Sequence, residues 1–168
     1  MRRQEDNAEG PPLRGGPGGA LETPLPTLHH IAITVRDFEV SVPWYERVFA
    51  IKEKMEYSHE GGIGKLLVDE DWQLAIVLHV HDATGDELFS ERRTGLDHLG
   101  MLVPSRAALV AWQERLESLG GVRRTATADR PLTQSPITDA PYGSILVFRD
   151  PDNIQLELCA PPEDSDGV

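Results

Sequence analysis

His30, His98 and Glu157 are the residues whose types and spacing suit them to hold a metal ion. Glu157 lies in the stretch Asn153-Ile154-Gln155-Leu156-Glu157-Leu158-Cys159, where apolar and polar residues alternate. That is the period of a strand with Ile154, Leu156 and Leu158 on one face and Gln155, Glu157 and Cys159 on the other. A carboxylate buried on an inner face needs a cation, a donor network or a proton, because an unpaired buried charge is costly. A rim glutamate in water is the competing reading of Glu157 taken alone. Neutral imidazole and carboxylate suit Fe, Mn, Co, Ni or Zn, and two histidines with one carboxylate leave coordination positions open to water or substrate.

The elements that would position these residues come from a repeat. Leu28-His29-His30-Ile31-Ala32-Ile33-Thr34-Val35 alternates like a half-buried strand, and Leu96-Asp97-His98-Leu99-Gly100-Met101-Leu102-Val103 overlays it 68 positions on (98 − 30). The same offset pairs Trp44 with Trp112, Glu46 with Glu114 and Arg47 with Arg115. Helices are expected over about 38–49, with Ser41 as its cap because Pro43 suits only a first turn, and from Ser105 to the stop at Gly120-Gly121. Leu109, Trp112, Leu116 and Leu119 form the buried stripe of the second. Short strands follow near 53–58, 63–68 and 73–79, with Gly61-Gly62 as a hairpin turn and His59 in a turn.

Further on the offset becomes 80 (157 − 77), so that Val77 corresponds to Glu157 and His79 to Cys159. The extra residues fall in the loop around 130–142, a candidate flap over a site or an inert excursion. The chain is therefore read as α+β, two βαβββ modules, each sheet covered by a helix on its apolar face and free on the other to enclose a cleft. Residues 1–26 are a glycine- and proline-rich disordered tail, 27–80 the first module, 81–95 a polar linker, 96–160 the second module, and 161–168 an acidic tail.

On the free faces His30 and His98 hold equivalent places, with Glu157 on the matching face of a last strand. His79 shares the face of Val77 and is a candidate ligand, general base or rim residue. His29 points to the opposite side from His30. Cys159 is read as small and buried, and Arg92-Arg93 as a solvated pair.

Sixteen basic against 28 acidic residues give a net charge of −12, which argues against nucleic acid and anionic membranes as partners. No apolar run approaches the ~18 residues of a membrane span. The start carries no signal-peptide pattern, and one cysteine fits a cytoplasmic protein.

At "LHHIAITVRDFEVSVPWYERVF", "GLDHLGMLV" and "VFRDPDNIQLEL" the sequence resembles the vicinal oxygen chelate superfamily, which includes glyoxalase I, extradiol dioxygenases, methylmalonyl-CoA epimerase and the bleomycin- and fosfomycin-resistance proteins. The resemblance covers about residues 27–160. It implies two βαβββ modules forming a cup-shaped mixed sheet, helices outside, around a divalent metal, with His30, His98 and Glu157 as ligands. The metal would act as a Lewis acid on substrate oxygens or activate dioxygen. Two departures stand out: Val77 occupies the place of a fourth ligand or base in glyoxalase I and the epimerase, and Val147 that of a dioxygenase tyrosine, with Tyr142 nearby.

The leading expectation is thus a metal-dependent enzyme, of lyase, isomerase or dioxygenase type, acting on a small oxygenated metabolite, with His79 as base and a homodimer as the assembly. The alternative is a metal-free protein that sequesters a drug or natural product, as bleomycin-resistance proteins do; a catalytically dead scaffold is a third. Whether the cup closes within one chain or between two exchanged chains stays open.

Overall fold

The structure, a computed structural model, describes residues 26–120 and 135–162. Residues 1–25, 121–134 and 163–168 lie outside them, and with these most of both expected tails, Gly121 and residues 130–134 of the long loop.

The first module runs β1 (Ile31–Thr34), α1 (Phe38–Phe49), β2 (Lys52–His59), β3 (Gly62–Val68) and β4 (Ala75–His81). The second runs β5 (Leu99–Leu102), α2 (Arg106–Ser118), β6 (Thr138–Ala140), β7 (Gly143–Arg149) and β8 (Gln155–Ala160). Each forms a four-stranded mixed sheet, in the orders β1-β4-β3-β2 and β5-β8-β7-β6. The duplication holds at the level of register. β1 pairs with β4 in parallel with Ala32 beside Val77, and β5 with β8 in parallel with Gly100 beside Glu157. Both pairs are repeat equivalents. The fold is α+β with two βαβββ modules, as the repeat predicts.

Local chemistry explains the helices. Asp37, not Ser41, caps α1: its side chain accepts from the Glu39 N–H at 2.8 Å. Pro43 therefore lies inside the helix, where its missing N–H leaves only the carbonyl of exposed Glu39 without its usual partner. Ser41 is buried instead, and its hydroxyl donates to Asp152 at 3.2 Å. Ser105 caps α2 as expected, accepting from Ala108 N–H at 3.2 Å. Leu109 and Leu116 are fully buried, with Trp112 and Leu119 packed at the edge.

The core is shared between the modules. Trp44 and Phe49 of α1 lie against Phe148 of β7, with ring centroids 6.4 and 6.2 Å apart, and Phe49 also meets Trp112 of α2 at 5.8 Å. Arg115 of α2 donates to the carbonyls of Arg47 and Val48 at 2.7 and 2.8 Å, satisfying the open C-terminal end of α1. Trp44 and Trp112 thus belong to the helix-side core. Arg36 and Ser41 bond Asp152, and Tyr45 bonds Asp150, which ties α1 to the β7–β8 turn.

Because the helices of both modules close on one core, the opposite faces of the two sheets look away from it. Ala32, Thr34, Gly100 and Leu102 on those faces are exposed, Leu102 by 81%. No helix among the described residues is long and apolar enough to cross a membrane.

Candidate functional site

The second sheet brings His98 and Glu157 together. Glu157 is held on β8 beside Gly100, which has no side chain to shield the carboxylate and open space where one would stand. His98 precedes β5, and its Nε2 lies 3.9 Å from Glu157 Oε1. The other ring nitrogen, Nδ1, is 2.7 Å from Asp97 Oδ1. A carboxylate only accepts, so in the neutral ring Nδ1 carries the proton and Nε2 is a lone pair. That lone pair faces a carboxylate, an acceptor against an acceptor, which is the arrangement a cation completes. Donors bound to one metal at ~2.1 Å sit ~3.0–3.4 Å apart at octahedral or tetrahedral angles, so 3.9 Å closes with a small side-chain movement. The Asp97–His98 contact is the outer-shell carboxylate that commonly orients a metal-binding histidine.

Glu157 has one further partner. The Cys159 thiol donates to its Oε1 at 2.9 Å. Burial first, then this hydrogen bond to Glu157, push the thiol up to about 11, so Cys159 stays protonated and serves as a donor. It is half-buried rather than enclosed.

His30 lies elsewhere. It is exposed, just before β1, with its Nδ1 2.9 Å from Nδ1 of His29, so the two adjacent histidines meet rather than point apart. The strand it leads into, β1, pairs with β4, which puts His30 at the first sheet. Among the described residues, no three of His, Cys, Asp and Glu come together in a group that could hold a metal ion. One chain therefore presents two of the expected ligands as a pair and the third on its other sheet.

His79 sits on the open face of the first sheet in a cluster that the sequence reading did not assemble. Its Nδ1 is 3.0 Å from His59 Nε2 and its Nε2 is 3.3 Å from the Tyr57 hydroxyl. His81 stacks on it with centroids 5.7 Å apart. Burial, then the neighbouring imidazoles of His59, His81 and His30, hold His79 below the ordinary histidine value. It is neutral near pH 7. His59 is the last residue of β2, because the turn is Glu60-Gly61 and Gly62 already belongs to β3. Val77, at the place repeat-equivalent to Glu157, is buried and offers no donor.

A groove of about 510 Å³, lined among others by Leu28, Ile31, Phe49, Leu74, Met101 and Trp112, contains none of the candidate ligands.

The family model for the glyoxalase/bleomycin resistance protein/dioxygenase superfamily matches residues 27–158. The chain belongs to this superfamily. A glyoxylase/bleomycin resistance protein/dioxygenase domain from Frankia sp. EAN1pec is 35% identical, with 84% of this chain and 96% of that one covered and a TM-score of 0.70. The superfamily fold recurs at lower identity. The fosfomycin resistance protein FosX from Listeria monocytogenes, complexed with Mn(II) and sulfate, is 19% identical over 83% and 96% of the chains, with a TM-score of 0.53. A glyoxalase family protein from Enterococcus faecalis is 18% identical over 79% and 96%, with a TM-score of 0.59. No curated protein matches the chain.

Proposed function

We propose that this member of the superfamily is a divalent-metal-dependent enzyme acting on a small oxygenated metabolite, and that its site is completed between two copies of the chain. The observation that carries the reading is the facing of the His98 lone pair and the Glu157 carboxylate, with Asp97 fixing the imidazole. The FosX protein that shares this fold was complexed with Mn(II), which supports a divalent ion as the group bound. His30 supplies the remaining ligand from the first sheet of a second copy, since within one chain the open faces of the two sheets turn away from their common core. In a dimer built this way the helices lie outside the cup.

A bound metal would supply Lewis acidity, polarising a substrate oxygen so that a neighbouring proton becomes acidic. The chain's own residues do the rest. His98 and Glu157 hold and orient. Apolar Val77 leaves one place without a protein ligand, so water or substrate can enter there. His79, kept neutral by burial and by its neighbours, is ready to take a proton.

The test is metal content. Untagged protein, His98→Ala and Glu157→Gln are exposed to Mn, Zn, Fe, Co and Ni in turn, and bound metal is measured after gel filtration. Both variants are expected to lose it. Equal metal in wild type and either variant removes that residue from the site, and none in the wild type overturns the reading.

A further inference from the structure

The open face of the first sheet carries a directional chain of hydrogen bonds, and its direction follows from one carbonyl. His59 Nδ1 is 3.0 Å from the backbone oxygen of Glu60, which can only accept, so Nδ1 of His59 holds a proton. In the neutral ring His59 Nε2 is then a lone pair. Its partner at 3.0 Å, His79 Nδ1, must be the donor. That leaves His79 Nε2 as an acceptor, and the group 3.3 Å from it, the Tyr57 hydroxyl, donates. Both nitrogens of His79 are occupied, one by Tyr57 and one by His59, so a proton bound for His79 arrives through Tyr57.

The sheet is built to allow this contact. Tyr57 and His79 belong to β2 and β4, which are separated by β3 and so by about 10 Å, twice the strand spacing. The residue of β3 paired with both is Gly64. A Cβ there would stand 2.5 Å from Tyr57 Cζ and 2.7 Å from its oxygen. Gly62, two residues earlier on β3, is paired with both His59 of β2 and His81 of β4, whose rings approach to 5.3 Å between centroids; a Cβ there would meet the Val80 backbone oxygen first and then His59 Cε1 at 3.0 Å. Two alternate glycines thus open a trough across the strand, and the aromatic groups of its neighbours meet over it.

We propose that Tyr57 is the proton-transfer group of this face, and that His79 and His59 form a relay carrying the proton on to the end of β2. The proposal rests on the metal-enzyme reading above, which supplies the acidic proton. As the substrate's bond to hydrogen breaks, Tyr57 oxygen gains that proton and passes its own to His79 Nε2. His79 then gives its Nδ1 proton to His59 Nε2. The positive charge ends on half-exposed His59 at the edge of the sheet, with no other reactant needed. Tyr57 is the catalytic residue; His79 and His59 act through it. The neutrality of His79, in the face of His59, His81 and His30, is what keeps the relay ready to accept.

Two measurements on the full-length protein test this. Long-range proton–nitrogen correlation spectra should show both His59 and His79 protonated on Nδ1. The opposite form at His79 overturns the relay. Zinc-loaded protein is then incubated with hydroxyacetone in deuterium oxide, and exchange of its carbon-bound protons is followed by NMR. Tyr57→Phe is expected to slow exchange ~10²-fold, the scale of general acid–base catalysis, with bound zinc unchanged. His59→Gln still accepts from His79, which keeps the ring in place, but takes up no proton; it should also slow exchange while the His79 form is retained. A purely structural brace would leave exchange intact in His59→Gln. Undiminished exchange in Tyr57→Phe overturns the relay alone, whereas no exchange in wild type overturns the metal-enzyme reading beneath it.

Discussion

The Tyr45 hydroxyl donates to Asp150 Oδ2 at 2.9 Å and joins the helix of the first module to the β7–β8 turn of the second. Both groups are buried. Asp150 Oδ1 also accepts from the backbone N–H groups of Asp152 and Ile154, at 2.9 and 2.7 Å, and so shapes the turn that leads into the strand of Glu157.

This makes Asp150 a source of pH dependence. Burial, opposed by the hydrogen bonds and reinforced by the charge of Asp152, pushes its carboxyl up to about 7 from an ordinary 3.8. A raised folded value means that the native state binds more protons than the unfolded chain between about pH 4 and 7. The stability from this group is full at the acid end and lost as pH rises through that window. Asp150→Asn keeps an acceptor for the two backbone donors and cannot titrate. In urea melts from pH 4 to 8, the stability of wild type relative to Asp150→Asn should fall towards pH 7 and then level off. A constant difference across the range would contradict this.

Gly64→Ala is expected to displace Tyr57 and to spare the core. The new methyl falls on the open face, against the Tyr57 ring rather than against the helices. Overpacking of this kind costs ~1–3 kcal/mol. The informative readout is His79, whose signals should change as its hydroxyl partner leaves. Unchanged His79 resonances in Gly64→Ala would show that Tyr57 does not depend on the trough.

Cys159 reports on the charge of Glu157. The thiol is held up first by burial and second by its hydrogen bond to Glu157. Glu157→Gln removes the second cause, so the thiolate fraction at pH 8 should rise. Alkylation by iodoacetamide is expected to speed up several-fold in the variant. An unchanged rate would mean that burial alone protects the sulfur.

Much of this architecture is visible in the sequence, because duplication leaves residue-by-residue traces. The overlay of His98 on His30 and of Glu157 on Val77 recurs in the sheets, where Ala32 lies beside Val77 and Gly100 beside Glu157. Local signals are less dependable where tertiary contacts intervene. Ser41 looks like a helix cap but is drawn inward by Asp152, and Asp37 takes that role. Gly61-Gly62 looks like a turn, yet only Gly61, at a φ of +82°, needs glycine for its backbone conformation. Gly62 and Gly64 are strand residues whose missing side chains gather Tyr57, His59 and His79. Their alternation was the available signal. The short strand β6 falls inside the stretch read as a loop, since Thr138-Asp139-Ala140 has no apolar alternation to mark it. Whether the two open faces meet within one chain is not written in any local pattern. Trp44 and Phe49 follow a helical stripe in either case, and only their packing on Phe148 of the other module decides it.

The exchanged site makes a prediction that neither single variant can test. If His30 of one chain joins His98 and Glu157 of another, His30→Ala and His98→Ala homodimers each have two damaged sites. Unfolding the two variants together and refolding them as a mixture would produce heterodimers. In these, one cup receives both substitutions and the other receives none. Metal binding should therefore return in the mixture at about a quarter of the wild-type level, since random pairing makes half of the dimers mixed and each of those has one intact site of two. A site closed within a single chain would gain nothing from mixing, because every copy still lacks one ligand. Titrating the mixture with Zn and counting tight sites per chain separates the two arrangements, and a return of binding would place His30 opposite the His98–Glu157 pair.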